Sequence, residues 1–286
     1  MGDDQLFPAD RVTVMGVLNV TPDSFSDGGR LLGSSGDICL DRSLAAAHAL
    51  VEAGAHMIDV GGESTRPGAG EVGVQEEIDR TAGVIEKLAQ DLDVPISIDS
   101  RRTPVVRCAI EAGARVVNDI SGLSSDATLA AEVAEAGSTL ILGHLRGTPA
   151  TMQDSPGYED VLEEVALELA RSVEQARAAG VASRNLVVDP GIGFGKRFED
   201  NLELIAHIGW LKGRLGLPVM VGASRKAFLG SITGEAVADR EFASHAACAV
   251  AAFGGADAVR VHDPAGALRA VQVGRALGSA RRKELA

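Results

Sequence analysis

The chain has 286 residues, 45% of them hydrophobic and 23% charged, the balance of a globular protein rather than a disordered one. Its 27 Lys and Arg face 40 Asp and Glu, a formal net charge of −13, so the surface repels nucleic-acid backbones and no nucleic-acid partner is expected. No apolar run approaches the ~20 residues of a membrane span. The acidic opening Met-Gly-Asp-Asp-Gln-Leu lacks the apolar stretch of a secretory leader, and Leu6 breaks the myristoylation pattern. The protein is therefore expected in the cytoplasm, away from membranes.

Cys39, Cys108 and Cys248 lie far apart with no Cys-x-x-Cys pair, which disfavours disulfides, redox work and structural zinc. Cys108 and Cys248 sit in apolar helical stretches and read as small core residues. Aromatic residues are few (seven Phe, one Trp, one Tyr) while glycines number 34. A core poor in rings and rich in Val, Ile, Leu and Ala suits strands buried on both faces under closely packed helices.

In chain order, the first predicted strand is Val12–Leu18, ending before Asn19, and a helical pattern over Leu40–Ala53 follows. A unit then recurs: an alanine-rich helix end, a glycine suited to a left-handed cap, a short apolar strand, and a polar residue. It appears from Glu52 (leading to Asp59), Glu111 (Asn118), Glu135 (His144), Ala178 (Asp189) and Phe253 (Arg260 and His262). Pro95–Ile98 before Asp99 and Leu217–Gly222 before Ser224 fill the same role, and Val161–Ala179 reads as a helix. Eight alternating β and α units predict an α/β fold, a single (β/α)8 TIM barrel. A doubly wound open sheet is the rival. Met1–Arg11 reads as a leading arm and residues 12–280 as the barrel.

The polar strand-end residues would ring the mouth of such a barrel, where active sites form. So many polar groups in one ring call for a polar ligand, since each costs desolvation unless hydrogen-bonded. Asp59 and His144 are expected instead to bond neighbouring loops. The loop Asn19-Val-Thr-Pro-Asp-Ser-Phe25-Ser-Asp27-Gly-Gly reads as a lid with Phe25 as its apolar cover. Gly61-Gly-Glu-Ser-Thr65-Arg66-Pro67-Gly offers one Arg to an anion. Asp189-Pro-Gly-Ile-Gly-Phe194-Gly-Lys196 has neither the Walker A nor the dinucleotide spacing. Ser224, Lys226, Arg260 and His262 are predicted to form a phosphate-binding corner after the last two strands. Asp99, Asn118 and Asp189 supply opposing polarity for a flat heterocycle rich in N–H donors. No zinc-type ligand spacing is present, so any metal is expected to be a Mg²⁺ riding on phosphates with few protein ligands.

These stretches, with Arg146-Gly-Thr-Pro-Ala-Thr-Met-Gln, resemble in order those of bacterial dihydropteroate synthases, within the pterin-binding barrels, from Val14 to about Pro264. The resemblance implies a transferase of folate biosynthesis that joins 6-hydroxymethyl-7,8-dihydropterin diphosphate to 4-aminobenzoate, releasing diphosphate, with Mg²⁺ and as a homodimer through the last helices. Residue by residue it implies that Asp99, Asn118 and Asp189 bond the pterin edge, with Lys226 at its carbonyl. Arg260 and His262 would hold the diphosphate and Asn19 would stand near its Mg²⁺. Phe25, Thr65, Arg66, Pro67 and Ser224 would shape the 4-aminobenzoate site, with Thr65 and Phe194 also beside the pterin. Asp27, Lys226 and Arg260 would carry the chemistry, Asp27 facing the cationic methylene. Two positions depart from the pattern: Gly143 where the family commonly has Met, which implies either a thinner pocket wall or a space filled by Leu142 or Leu145, and Ala227 where many members have Ser. The alternatives are a methyltetrahydrofolate methyltransferase-type domain, which lacks a diphosphate corner, and an inactive pterin-binding paralogue.

Overall fold

All eight strands form and all are parallel in the computed structural model, which describes residues 6–21, 40–64 and 70–284. They are β1 (Thr13–Asn19), β2 (Met57–Gly61), β3 (Ile96–Asp99), β4 (Val116–Asp119), β5 (Thr139–Gly143), β6 (Leu186–Asp189), β7 (Met220–Val221) and β8 (Ala258–Val261). Their order is β6-β5-β4-β3-β2-β1-β8-β7. A lone parallel bridge between Val188 and Val219 joins the two ends and closes the barrel. β7 is shorter than the expected Leu217–Gly222, because Val219 spends its N–H on the Asp257 side chain at 2.9 Å.

The helices are α1 (Leu40–Glu52), α2 (Val74–Asp91), α3 (Thr103–Glu111), α4 (Leu129–Ala136), α5 (Val161–Ala178), α6 (Phe198–Ala206), α7 (Ile208–Leu215), α8 (Ala227–Thr233), α9 (Glu241–Gly254) and α10 (Pro264–Glu284). The recurring glycine of the repeated unit, at Gly54, Gly113, Gly137, Gly180 and Gly255, has positive φ each time, which is why only glycine serves there. α2 buries Glu77, Thr81, Val84, Ile85 and Leu88, one helical face. Asp160 caps α5 by accepting from the Glu163 N–H at 3.0 Å.

Strand alternation sorts the barrel interior into layers. At the base, Met15, Met57, Val116, Ile141, Val187, Met220 and Ala258 cluster, and Phe7 from the segment before β1 is buried among them. Two residues further along β1, β2, β4, β6 and β8 stand Val17, Asp59, Asn118, Asp189 and Arg260. Register carries the polar layer round the barrel, pairing Asp59 with Ser97, Gly61 with Asp99 and Asp99 with Asn118. Apolar base and polar mouth thus follow from one period-two pattern.

The outward face of β1 and β8 (Val14, Val259, Val261) packs on Cys248 and Ala252 of α9 and on Ala267 and Val271 of α10. Cys248 is in this core, whereas Cys108 is only half-buried; both are free thiols. α9 and α10 cross closely, since a Cβ on Gly274 would stand 2.1 Å from the Ala249 carbonyl oxygen.

Candidate active site

A cavity of about 640 Å³ opens at the C-terminal ends of the strands. It is lined by nine of the residues expected there: Asn19, Asp99, Asn118, Asp189, Phe194, Ser224, Lys226, Arg260 and His262. Phe25, Asp27, Thr65, Arg66 and Pro67, like Cys39, lie outside the described residues.

Arg260 organises the floor of this cavity. Its Nε donates to Asp59 Oδ2 at 2.6 Å and its Nη2 to Asp99 Oδ2 at 2.7 Å. Asn118 Nδ2 donates to the same Asp59 oxygen at 3.0 Å. Burial works against the guanidinium, but the two carboxylates outweigh it and hold its pKa above the ordinary range. Burial raises the Asp99 carboxyl above its usual range, while Arg260 pulls it back. Asp189 is likewise raised by burial, opposed by the Gly191 N–H that donates to its Oδ1 at 2.7 Å.

This geometry corrects one expectation. Asp59 does not bond a neighbouring loop. It lies within β2, fully buried, and grips the cation of the site itself. The signal was available as a lone carboxylate on the inward face of an apolar strand, between Ile58 and Val60. The four residues expected at a phosphate corner all line this one cavity. Ser224 Oγ pairs with His262 Nδ1 at 3.0 Å, whereas the Arg260 guanidinium turns to Asp59 and Asp99. Lys226 stands over the Phe194 ring, its Nζ 3.7 Å from the centroid. Burial, then the charge of Arg260, lowers its pKa to about 8.

The turn that separates Ser224 from Lys226 passes through Arg225, a non-glycine residue at φ 59°. Such a conformation costs roughly 1–3 kcal/mol and persists only where neighbours enforce it. Here the Arg225 N–H donates to Ser244 Oγ at 2.9 Å and its Nε to Glu241 Oε1 at 2.6 Å, both on α9. The Arg225 guanidinium thus helps hold the shape of this turn.

His144 turns away from the cavity. Its Nε2 meets Glu168 Oε2 of α5 at 2.9 Å and its Nδ1 meets the Lys196 ammonium at 2.8 Å. At Gly143 the cavity wall is lined by Ile120 and Ile192, and neither Leu142 nor Leu145 reaches it. A Cβ on Gly143 would come within 2.6 Å of the Ile120 Cα, so the Met of the family pattern would not fit without backbone movement. Ala227 lines the cavity as the first residue of α8.

Beside the cavity, Arg102 ties together the chain before and after residues 65–69. It donates to Glu63 Oε1 at 2.9 Å, to the Val72 carbonyl at 2.5 Å and to the buried Glu77 at 2.9 Å. Among the described residues, the one His/Cys/Asp/Glu group with metal-ligand spacing is Glu241, His245 and Asp263, none of which lines the cavity.

Comparison with known proteins agrees with this architecture. The profile of a family described as pterin binding enzyme matches residues 15–262. The dihydropteroate synthase of Synechocystis is 45% identical over 254 residues, covering 88% of this chain and 86% of that protein. Among solved structures, Yersinia pestis dihydropteroate synthase with a sulfonamide drug complex superposes with a TM-score of 0.88 at 40% identity, covering 95% of this chain and 96% of the other. The Xanthomonas albilineans enzyme in complex with 7,8-dihydropteroate gives 0.82 at 38% identity, covering 94% and 95%.

Proposed function

The chain belongs to the pterin-binding enzymes, and from that premise we infer that it works as a dihydropteroate synthase, a transferase joining a dihydropterin diphosphate to 4-aminobenzoate. The observation that carries this reading is the alternation of carboxylates and cations around one cavity: Asp99, Asn118 and Asp189 beside Lys226 and Arg260. A pterin edge offers ring N–H and amino donors next to a carbonyl acceptor. Asp99, Asp189 and the Asn118 amide match the donors, and the Lys226 ammonium matches the carbonyl.

In the reaction the methylene C–O bond breaks and its electron pair leaves with diphosphate. The arylamine nitrogen of 4-aminobenzoate then forms the C–N bond and gives up a proton. No protein nucleophile is required, so rate comes from positioning and from charge placed where charge develops. His262 and Ser224, joined at 3.0 Å, face the cavity as donors for an anionic group. Arg260 carries the permanent charge at the floor. Asp27 is the carboxylate proposed to face the electron-poor methylene, with Phe25, Thr65, Arg66 and Pro67 around the arylamine.

Mg²⁺ is part of the reading. Asn19 presents a neutral amide at the end of β1 on the cavity wall, and one hard oxygen donor fits an ion held mostly by diphosphate oxygens. When bound, such an ion offsets the charge of the leaving group. A homodimer through α9 and α10 belongs to it too. Phe242, Val250, Val273 and Leu277 are exposed on these two helices, the kind of apolar face that a second copy covers. Free Cys108 and Cys248 suit a reducing cytoplasm.

The direct test is diphosphate release by the purified protein given the dihydropterin diphosphate and Mg²⁺, with and without 4-aminobenzoate. Release that depends on 4-aminobenzoate, with dihydropteroate formed alongside, is expected. Pterin binding without release would make the protein an inactive binder and overturn the assignment.

A further inference from the structure

Lys196 is the least exposed cation among the described residues, at 3%, and the reaction above gives it no task. It ends the loop Asp189-Pro-Gly-Ile-Gly-Phe-Gly, whose Gly191, Gly193 and Gly195 all have positive φ. That backbone turns its carbonyls inward around the ammonium. Lys196 Nζ donates to the Phe194 carbonyl at 3.0 Å and to the Gly191 carbonyl at 3.3 Å. Its third contact is His144 Nδ1 at 2.8 Å, just beyond β5. An ammonium has only donors, so Nδ1 is the accepting nitrogen and the ring proton sits on Nε2, which donates to Glu168. Burial, then Lys196, lowers the His144 pKa to about 4, consistent with that neutral ring.

A continuous path thus runs from Glu168 on α5 through His144 and Lys196 into the loop between β6 and α6. The loop lies so close to the end of β5 that a Cβ on Gly191 would stand 1.9 Å from the His144 carbonyl oxygen. Its far side carries Phe194, whose ring lies under the Lys226 ammonium. A Cβ on Gly193 would come within 2.9 Å of Lys226 Cδ, so the loop backbone sets where that lysine lies. Desolvating a lysine is costly, and a loop needing only apolar filling would be served by Met or Leu.

We propose that Lys196, oriented by His144, is a positioning residue for the pterin subsite: it pins the loop between β6 and α6 so that Phe194 and Gly193 hold the Lys226 ammonium in place. The proposal deepens the synthase reading and rests on it.

The two nitrogens of His144 can be imitated separately. Asn places an amide oxygen near Nδ1, and Gln places an amide nitrogen near Nε2. Binding of 6-hydroxymethyl-7,8-dihydropterin diphosphate without 4-aminobenzoate, measured by calorimetry, is the primary readout, followed by the separate KM values of the two substrates. Lys196→Met and His144→Gln are expected to weaken pterin binding and raise its KM by about tenfold or more, leaving the 4-aminobenzoate KM within about threefold of wild type, while His144→Asn loses no more than about threefold. Equal losses in His144→Asn and His144→Gln overturn the proposal, as does wild-type affinity in Lys196→Met. If Lys196→Met does not fold, the two histidine variants decide alone, since they differ only in which nitrogen they replace. A wild-type protein that binds no pterin diphosphate overturns the synthase reading and this inference with it.

Discussion

Acid should weaken this protein most through the buried, neutral His144, with His56, also lowered by burial, acting in the same direction. His144 is 4% exposed, and burial, then the neighbouring Lys196, hold its pKa near 4 against an ordinary 6.5. Between those values the unfolded chain binds a proton that the folded protein refuses, so stability is full above about pH 6.5 and falls as the pH drops toward 4. Integrated from about pH 7.5 to about pH 5, the loss is about 2 kcal/mol. Glu168, held down to about 2 chiefly by its bond from His144, adds its own loss only below its ordinary 4.5. Lys196, lowered to about 7 by burial, acts mainly above that pH and touches the upper end of the interval in both proteins. Asp99, Asp119, Asp189 and Glu77, all raised by burial, oppose the histidine in the same window. The quantity to read is therefore the difference between wild type and His144→Asn in urea unfolding at the two pH values. Wild type should lose about 2 kcal/mol more than the variant over that interval. Parallel pH dependences would refute a histidine buried in its neutral form.

Three further outcomes can be measured. Asp59→Asn keeps volume but removes one of the carboxylates on Arg260, so kcat/KM for the pterin diphosphate should fall by roughly 30-fold, the worth of a charged hydrogen bond of about 2 kcal/mol; an unchanged value would show that Asp99 alone orients Arg260. Phe7→Ala should cost about 3–4 kcal/mol in denaturant unfolding by opening a void under the barrel, with far less effect on KM. Arg102→Met leaves Glu77, 1% exposed, without its cation and should cost about 3–5 kcal/mol. Adding Glu77→Gln should recover part of that loss, and no recovery would mean that the Val72 and Glu63 contacts dominate.

The barrel and most of its mouth were legible in the sequence because both depend on local pattern. A glycine-capped helix end, a short apolar strand and a terminal polar residue are written within about a dozen residues each time, and the strand period then fixes which side chains face inward. What was not legible depends on pairs distant in sequence. Asp59 and Arg260 are 201 residues apart, and only closure of the barrel makes the aspartate part of the site. Lys196 looked like the end of a failed phosphate loop, since its inward turn depends on carbonyls whose direction three glycines set in space. His144 does bond the neighbouring loop after β6 through Lys196, but its second partner, Glu168 on α5, left no mark in the sequence. The bridge between Val188 and Val219, which closes the ring, involves too few residues to leave a periodic trace.

Among the described residues, Phe7 and the apolar base layer fill one end of the barrel, and the cavity lies at the other. Traffic through a blind well is last in, first out: whatever occupies the floor must arrive before anything seated nearer the rim, and must wait for the rim to clear before departing. On the synthase reading, the pterin loads first and the arylamine follows. The condensed product then backs out whole along the route by which its two halves came. A rim-bound arylamine mimic would thus lengthen the stay of the pterin beneath it, and the slowing would show in the release rate of the lower ligand even where the two never touch.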